Sequence, residues 1–365
     1  MFSLVSKRFQ SVLTSTLFIA ILSGSLFSLR ILAGENDFDQ KGNILISDQF
    51  NNRVIEIDRH HHIVWQFGTG SSVPGPNSVV GVNDAQRVGD LTLIAGTGIP
   101  PGGTPDCPDG CADNRVFLVN RFGKIIWQYG QAGVTGADAN QLNTPVQSTY
   151  LPNGHVLITD QGNQRIIEVN KAKKIVWQYG TTGVAGSDPG QLNNPNSAEL
   201  LENGHILIAD ESNNRVIEIT HTGNPTIVCQ YPNPVDTGLL QGAAFASRLK
   251  NGNTLITDSL NNRIIEVTKS GNVVFLFATN TRMGSNANPN PTRAVRLRNG
   301  HTLISDQFNN QVIEVDSKGE IVFTQGQINA SGNGFDQLYA PYDAKVNGDY
   351  TGLTPPFDND HDLDD

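Results

Sequence analysis

The sequence predicts an all-β fold: a six-bladed β-propeller with four antiparallel strands per blade. Three observations carry this prediction. First, ISDQFNNRVIEI (46–57) returns almost unchanged as ISDQFNNQVIEV (304–315). Second, equivalent positions fall at Asp48, Gly96, Asp160, Asp210, Asp258 and Asp306, at intervals of 48, 64, 50, 48 and 48 residues. A fixed period of this size marks units that must stack to bury their apolar faces. Third, DQLYAPYDAKVNGD (336–349) follows the last unit and matches GQLNNPNSAELLENG (190–204), the lead-in to the fourth. The first unit lacks such a lead-in. The C-terminal segment is therefore expected to supply the innermost strand of blade one, closing the ring without an open sheet edge.

Before the first unit, Lys7 and Arg8 precede an apolar run from Val12 to Phe27 and a small-residue junction at Ala33–Gly34. This is a secretory signal pattern over residues 1–33, with an uncleaved anchor as the rival reading. Export to a secreted or periplasmic compartment is the expectation. Removing the segment would take away three basic residues and shift the net charge from −10 to −13. So acidic a chain lacks the basic footprint that nucleic acid or an anionic membrane requires.

The propeller is expected over residues 34–349. Each unit offers strands such as LITD, RVIEI and KIVWQYG, rich in β-branched and aromatic residues. The turns LPNG, LENG, LKNG and LRNG join an inner strand to the next, since Asn-Gly supports positive φ. Unit two departs, with GTGIPPGGTPDCPDGCADN (96–114) in place of a short turn. That loop is expected to rise over the face bearing the Asn-rich turns. Cys107 and Cys111 flank a Pro-Asp-Gly turn and suit a small-loop disulfide in an oxidising space. Cys229 takes the place of Trp65, Trp127 and Trp177 in the last strand and is expected to be a buried free thiol. Residues 350–365, ending FDNDHDLDD, read as an acidic disordered tail, with calcium binding as the rival reading.

GQLNNPNSAELLENGHILIADESNNRVIEI resembles the NHL repeat, and the ending IVWQYG is similar to repeats of arylsulfotransferase-like propellers. The resemblance spans residues 42–349 and is strongest in units three to six. It implies a six-bladed binding platform, with a few relatives acting as lyases or other enzymes.

Repetition decides how the charged residues are read. Asp48, Asp160, Asp210, Asp258 and Asp306 are followed five residues later by Arg53, Arg165, Arg215, Arg263 and Gln311. A pair present in nearly every blade is expected to pin each hairpin; a carboxylate ring holding a divalent cation is the alternative. Glu56, Glu168, Glu218, Glu266 and Glu314 likewise read as repeated blade contacts. His155, His205 and His301 share one register but lie in different blades, too far apart for converging metal ligands. His60, His61 and His62 read as a solvated turn. No metal set is predicted.

Departures from repetition are where a symmetric scaffold acquires a site. Arg87, Arg248, Arg296 and Lys345, with Tyr150 in the same register, occupy the inner strands. They are the candidate ligand-binding set of the central channel, suited to a carboxylate, sulfate or phosphate. No nucleophile elbow, P-loop, HExxH or dinucleotide fingerprint appears. The expected function is a monomeric recognition module for a protein, peptide, glycan or small anionic ligand. The alternative is a lyase, hydrolase or sulfotransferase with an axial anion site.

Overall fold

The computed structural model describes residues 38–233 and 239–349. The expected signal segment with its Ala33–Gly34 junction and the expected acidic tail lie outside the described residues. Six four-stranded antiparallel sheets form the ring. In blade one the inner strand is Pro341–Val346, paired with Ile44–Asp48, which continues into Arg53–Ile57 and Ile63–Phe67. Ile44 opposes Val346 and Leu45 opposes Lys345. The last strand of the chain therefore completes the first sheet, as the repeated lead-in predicts.

The middle strands are apolar on both faces because each sheet is packed on both sides. Ile44, Ile46, Ile55 and Ile57 pack against Leu303 and Val312 of blade six. Leu45 and Val54 turn the other way, onto Val82, Ala85 and Ile94 of blade two. The core is thus a set of seams between neighbouring blades.

The DQFNN-type motif makes a short 3₁₀ turn after the second strand. It ends in a left-handed residue: Asn52 (φ 52°), Gln164 (59°), Asn214 (52°), Asn262 (54°) or Asn310 (57°). Asn tolerates this region better than most residues, which accounts for its recurrence there.

The repeated Asp pins that turn, as expected. Arg53, Arg165, Arg215 and Arg263 bond Asp48, Asp160, Asp210 and Asp258 at 2.7, 2.8, 2.7 and 2.7 Å. The second carboxylate oxygen accepts the backbone N–H of Tyr339, Asn143, Asn193 or Gln241, tying the incoming linker to the blade. Blade two reaches the same result from a different strand. Its Gly96 leaves space that Asp113 fills: a Cβ on Gly96 would sit 2.6 Å from the Asp113 carboxyl carbon. Asp113 pairs with Arg115 and accepts the Val80 N–H at 2.7 Å.

Blade six keeps the pin only in part. Arg282, from the preceding linker, bonds Asp306 in place of an in-strand arginine and also reaches Gln311 at 2.8 Å. The linker residue that should offer an N–H to Asp306 is Pro289, and Asp306 Oδ1 is buried without a partner. Burial pushes the Asp306 carboxyl up to about 6. Pro289→Asn should supply the donor and stabilise the fold by about 1 kcal/mol at pH 7, net of the stiffness lost with proline. Because the folded carboxyl lies above its ordinary value, it costs stability as pH rises from about 4 through 6. The gain should therefore be full above pH 6 and gone below about pH 4, read by urea denaturation at both.

The unit-two insertion extends its hairpin to strands Leu91–Ile99 and Cys111–Asn120. Cys107 and Cys111 form the disulfide, with Cα atoms 5.5 Å apart. Cys107 is buried with Val80 and Ile99, against Phe50 of the blade-one 3₁₀ turn. The loop thus lies on the face of the Asn-rich turns, seated at the boundary of blades one and two. Replacing both cysteines by serine should cost about 2 kcal/mol, from the loop entropy restored to the unfolded chain, read as a lowered melting temperature.

Cys229 corrects the expectation of a buried thiol: it is exposed. The outer strand is the edge of each sheet, so its side chains are covered only when large enough to reach the next blade. Trp65, Trp127 and Trp177 reach it, donating their indole N–H to the carbonyls of Arg121, Lys171 and Thr222. A thiol is too short to do so.

Candidate functional site

Each repeated glutamate sits at a seam between blades and takes two sets of donors. The residue after the turn glycine comes from the same blade. Asn43 and Asn253 bond Glu56 and Glu266 at 2.7 Å. His205 and His301 approach Glu218 and Glu314 at 2.7 Å, and His155 contacts Glu168. The three histidines therefore serve three separate glutamates.

The second donor comes from the next blade. Arg87 bonds Glu56, Arg248 bonds Glu218 at 2.9 Å, and Arg296 bonds Glu266 at 3.0 Å. Where the inner strand carries Leu200 or Val346 at this register, the following hairpin turn supplies the second donor. His221 reaches Glu168 at 2.8 Å and Arg59 reaches Glu314 at 2.6 Å. Hydrogen bonds from His221 and His155 hold the Glu168 carboxyl down at about 2. Where blade two has Leu118 instead of glutamate, Tyr150 packs on it within an apolar cluster. Arg87, Tyr150, Arg248 and Arg296 thus share one face of their strands, and that face meets the preceding blade.

Lys345 is one residue out of that register and faces the other way. Its Nζ bonds Asp84 at 2.8 Å, the Ala85 carbonyl at 2.9 Å, and Asp343. The residues on this face join the inner strands to one another. Asp84, Gln86, Gln147 and Ser197 accept backbone N–H groups of Ser148, Tyr150, Ala198 and Ala246 in the next blade. Their side chains satisfy N–H groups on the inner-strand edges of blades three, four and five, which otherwise have no partner at the axis.

Two side chains cross the axis. Arg293 of blade six donates to the Ala244 carbonyl of blade five, to Asn196 Oδ1 of blade four at 3.1 Å, and to the Val146 carbonyl of blade three at 3.3 Å. It is 1% exposed, and its guanidinium lies over Phe245 and Tyr342. Tyr342 of blade one and Asn196 of the opposed blade four are hydrogen-bonded at 2.9 Å. These groups close the axis at the level of the inner-strand N-termini.

Above this closure, on the face of the 3₁₀ turns, lies a rim of side-chain amides. Gln307 donates to Gln49 at 2.8 Å, and Gln49 donates to Asn83 at 2.7 Å. Across the ring, Asn196 donates to Glu211 at 2.8 Å and Gln161 reaches the same carboxylate at 3.4 Å. Gln161 and Glu211 are half-buried; Gln49, Gln307 and Asn83 are buried. Toward the opposite face, Glu199 is 2% exposed, accepts the Arg248 N–H at 3.1 Å, and keeps Oε1 without a partner. Burial raises its carboxyl well above the ordinary range.

Sequence reasoning singled out the basic positions on the inner strands but not Tyr342, Asn196, Asp84 and Asp343, which complete the axis. Alternation could have placed Asp84 and Asp343 on the face of Lys345, but Tyr342 and Asn196 are the extra residues at bulges, where the alternation shifts. Among the described residues, no group of three or more His, Cys, Asp or Glu is placed to hold a metal ion. No helix among them is long and apolar enough to cross a membrane.

No protein-family model matches the chain, and no curated protein sequence matches it. Solved structures share its fold. A protein of unknown function from Bacteroides caccae is 16% identical, with TM-score 0.53, over 78% of this chain and 93% of that one. A streptogramin B lyase is 16% identical, with TM-score 0.54, over 86% and 87%. A chain of a nidogen–laminin complex is 10% identical, with TM-score 0.50, over 77% and 92%. At these identities the likeness is one of architecture.

Proposed function

We propose that this protein is an exported recognition module of NHL type that seats a peptide or glycan on the amide rim at the axial mouth. One observation supports this reading above others: Arg293 and the Tyr342–Asn196 pair span the axis, so the ligand surface is a shallow polar mouth. Side-chain amides offer donors and acceptors together, which suits neutral polar ligands more than a single anion. The inner-strand arginines, spent on glutamates, weigh against the small-anion alternative. The disulfide agrees with an oxidising compartment.

The test is binding of the full chain to peptide and glycan arrays, repeated with Gln161→Leu and Glu211→Leu. These half-exposed positions should lower affinity at least about tenfold, or 1.4 kcal/mol, while the melting temperature stays close to the parent. Binding unchanged by both substitutions would remove the mouth as the site. A second reading, a propeller enzyme, draws on Glu199, a buried carboxyl that burial makes harder to ionise and that has one oxygen without a partner. A general acid needs that combination. Loss of a measured turnover in Glu199→Gln, with array binding intact, would favour it.

A further inference from the structure

At the outer side of four seams an aromatic ring meets the arginine or histidine that serves the seam's glutamate. Trp65 lies 4.3 Å from the Arg87 guanidinium. Phe275 covers Arg296 at 5.2 Å, and Phe323 is covered by Arg59 at 5.2 Å. Trp177 meets His221 edge-on at 4.6 Å. The ring comes from the outer strand of one blade and the arginine or histidine from the next. The three tryptophans also donate their N–H to the next blade's hairpin turn.

The seam between blades four and five has the ion pair, Glu218–Arg248, and the hairpin turn, Thr268–Asn272, but among the described residues no ring at the position of Trp65. Cys229 stands at the aromatic position. In its place is a cleft of about 860 Å³, lined by Glu218, Cys229, Tyr231, Arg248, Lys269 and Asn272 among others. Arg248 Nε is buried in the cleft wall without a hydrogen-bond partner. No ring lies over this guanidinium among the described residues. The volume falls in the range of small-ligand pockets.

We propose that this cleft is a binding site for an indole-type ring carried by the tryptophan side chain of a peptide ligand. The ring stacks on the Arg248 guanidinium, as Trp65 does on Arg87. Its N–H donates to the Lys269 carbonyl, the position equivalent to Arg121 and Lys171 in other turns. The chain's own repeats thus specify the shape and the donor pattern of the occupant. The cleft lies in the seam between blades four and five and shares no residue with the amide rim, so it stands or falls separately from the function proposed above.

Cys229 reports occupancy, because Cys107 and Cys111 are joined and the remaining thiol is exposed in the cleft. N-acetyl-tryptophanamide should slow the reaction of Cys229 with a disulfide reagent saturably, at least about tenfold; N-acetyl-leucinamide should not. Cys229→Trp should place the chain's own ring in the cleft and abolish binding of the tryptophan probe, measured by calorimetry on the folded variant. Labelling unaffected by the tryptophan probe, or slowed equally by the leucine probe, overturns the proposal. So does undiminished probe binding by folded Cys229→Trp. If that variant does not fold, the labelling comparison decides alone.

Discussion

A chain ending at Asp336 should show no cooperative unfolding transition. It loses the inner strand of blade one and the apolar residues leading into it. Leu338, Tyr342, Ala344 and Val346 are all buried. Burying side chains of this kind contributes about 1.5–3 kcal/mol for each large one. Whole-domain stabilities amount to roughly 5–15 kcal/mol. The strand also carries Lys345, and its removal bares both the edge of Ile44–Asp48 and the seams on either side of it. Thermal melts followed by circular dichroism, with dye binding to exposed apolar surface, are the measurement. A chain ending at Asp349 keeps the strand and should keep the transition. Cooperative melting of the shorter chain would mean that the ring is not held by its C-terminal strand.

Lys345→Met should destabilise the protein by about 3–5 kcal/mol at neutral pH, the usual consequence of stranding buried charges. Here the stranded groups are Asp84 and Asp343, 1% and 2% exposed. Burial already raises Asp343 to about 6 with the lysine present. Without it, the Asp343 carboxyl loses the charge that opposes its burial and rises further. Folded values above the unfolded ones mean that stability is intact in acid and lost as pH rises through the folded values. The gap between variant and parent should therefore be widest above pH 7 and narrow toward pH 4. Asp343→Asn added to Lys345→Met should recover part of the loss at neutral pH. Urea denaturation across that range tests this, and a gap independent of pH would show that packing, not charge, dominates the site.

Much of the scaffold was legible in the sequence. The repeat gave the number of blades, the order of strands and the closure by residues 341–346. The Asp–Arg spacing gave the hairpin pins, and Asn-Gly gave the turns. The placement of His155, His205 and His301 in different blades foretold that they would not converge; each meets its own glutamate. The irregular units resisted this reading. Gly96 looked like a missing pin, yet Asp113 restores it from a neighbouring strand, a substitution visible only once two strands are side by side. Gln311 is similarly made good by Arg282 from a linker.

The candidate ligand residues show where sequence ends. Position in the repeat identified Arg87, Tyr150, Arg248 and Arg296 as one register and placed Lys345 among them. The register of Ile44 with Val346 shows that Lys345 belongs one step away. In a strand, one step reverses the direction of the side chain. The sequence alone determined the ring, its six units and its closing strand, because those follow from local patterns repeated along the chain. The tertiary structure decided that four of the five residues serve the seams, that Lys345, Arg293 and Tyr342 fill the axis, and that one seam lacks its ring. The reason is that a period of two tells which side chains share a face, but only packing of separate blades determines what that face meets.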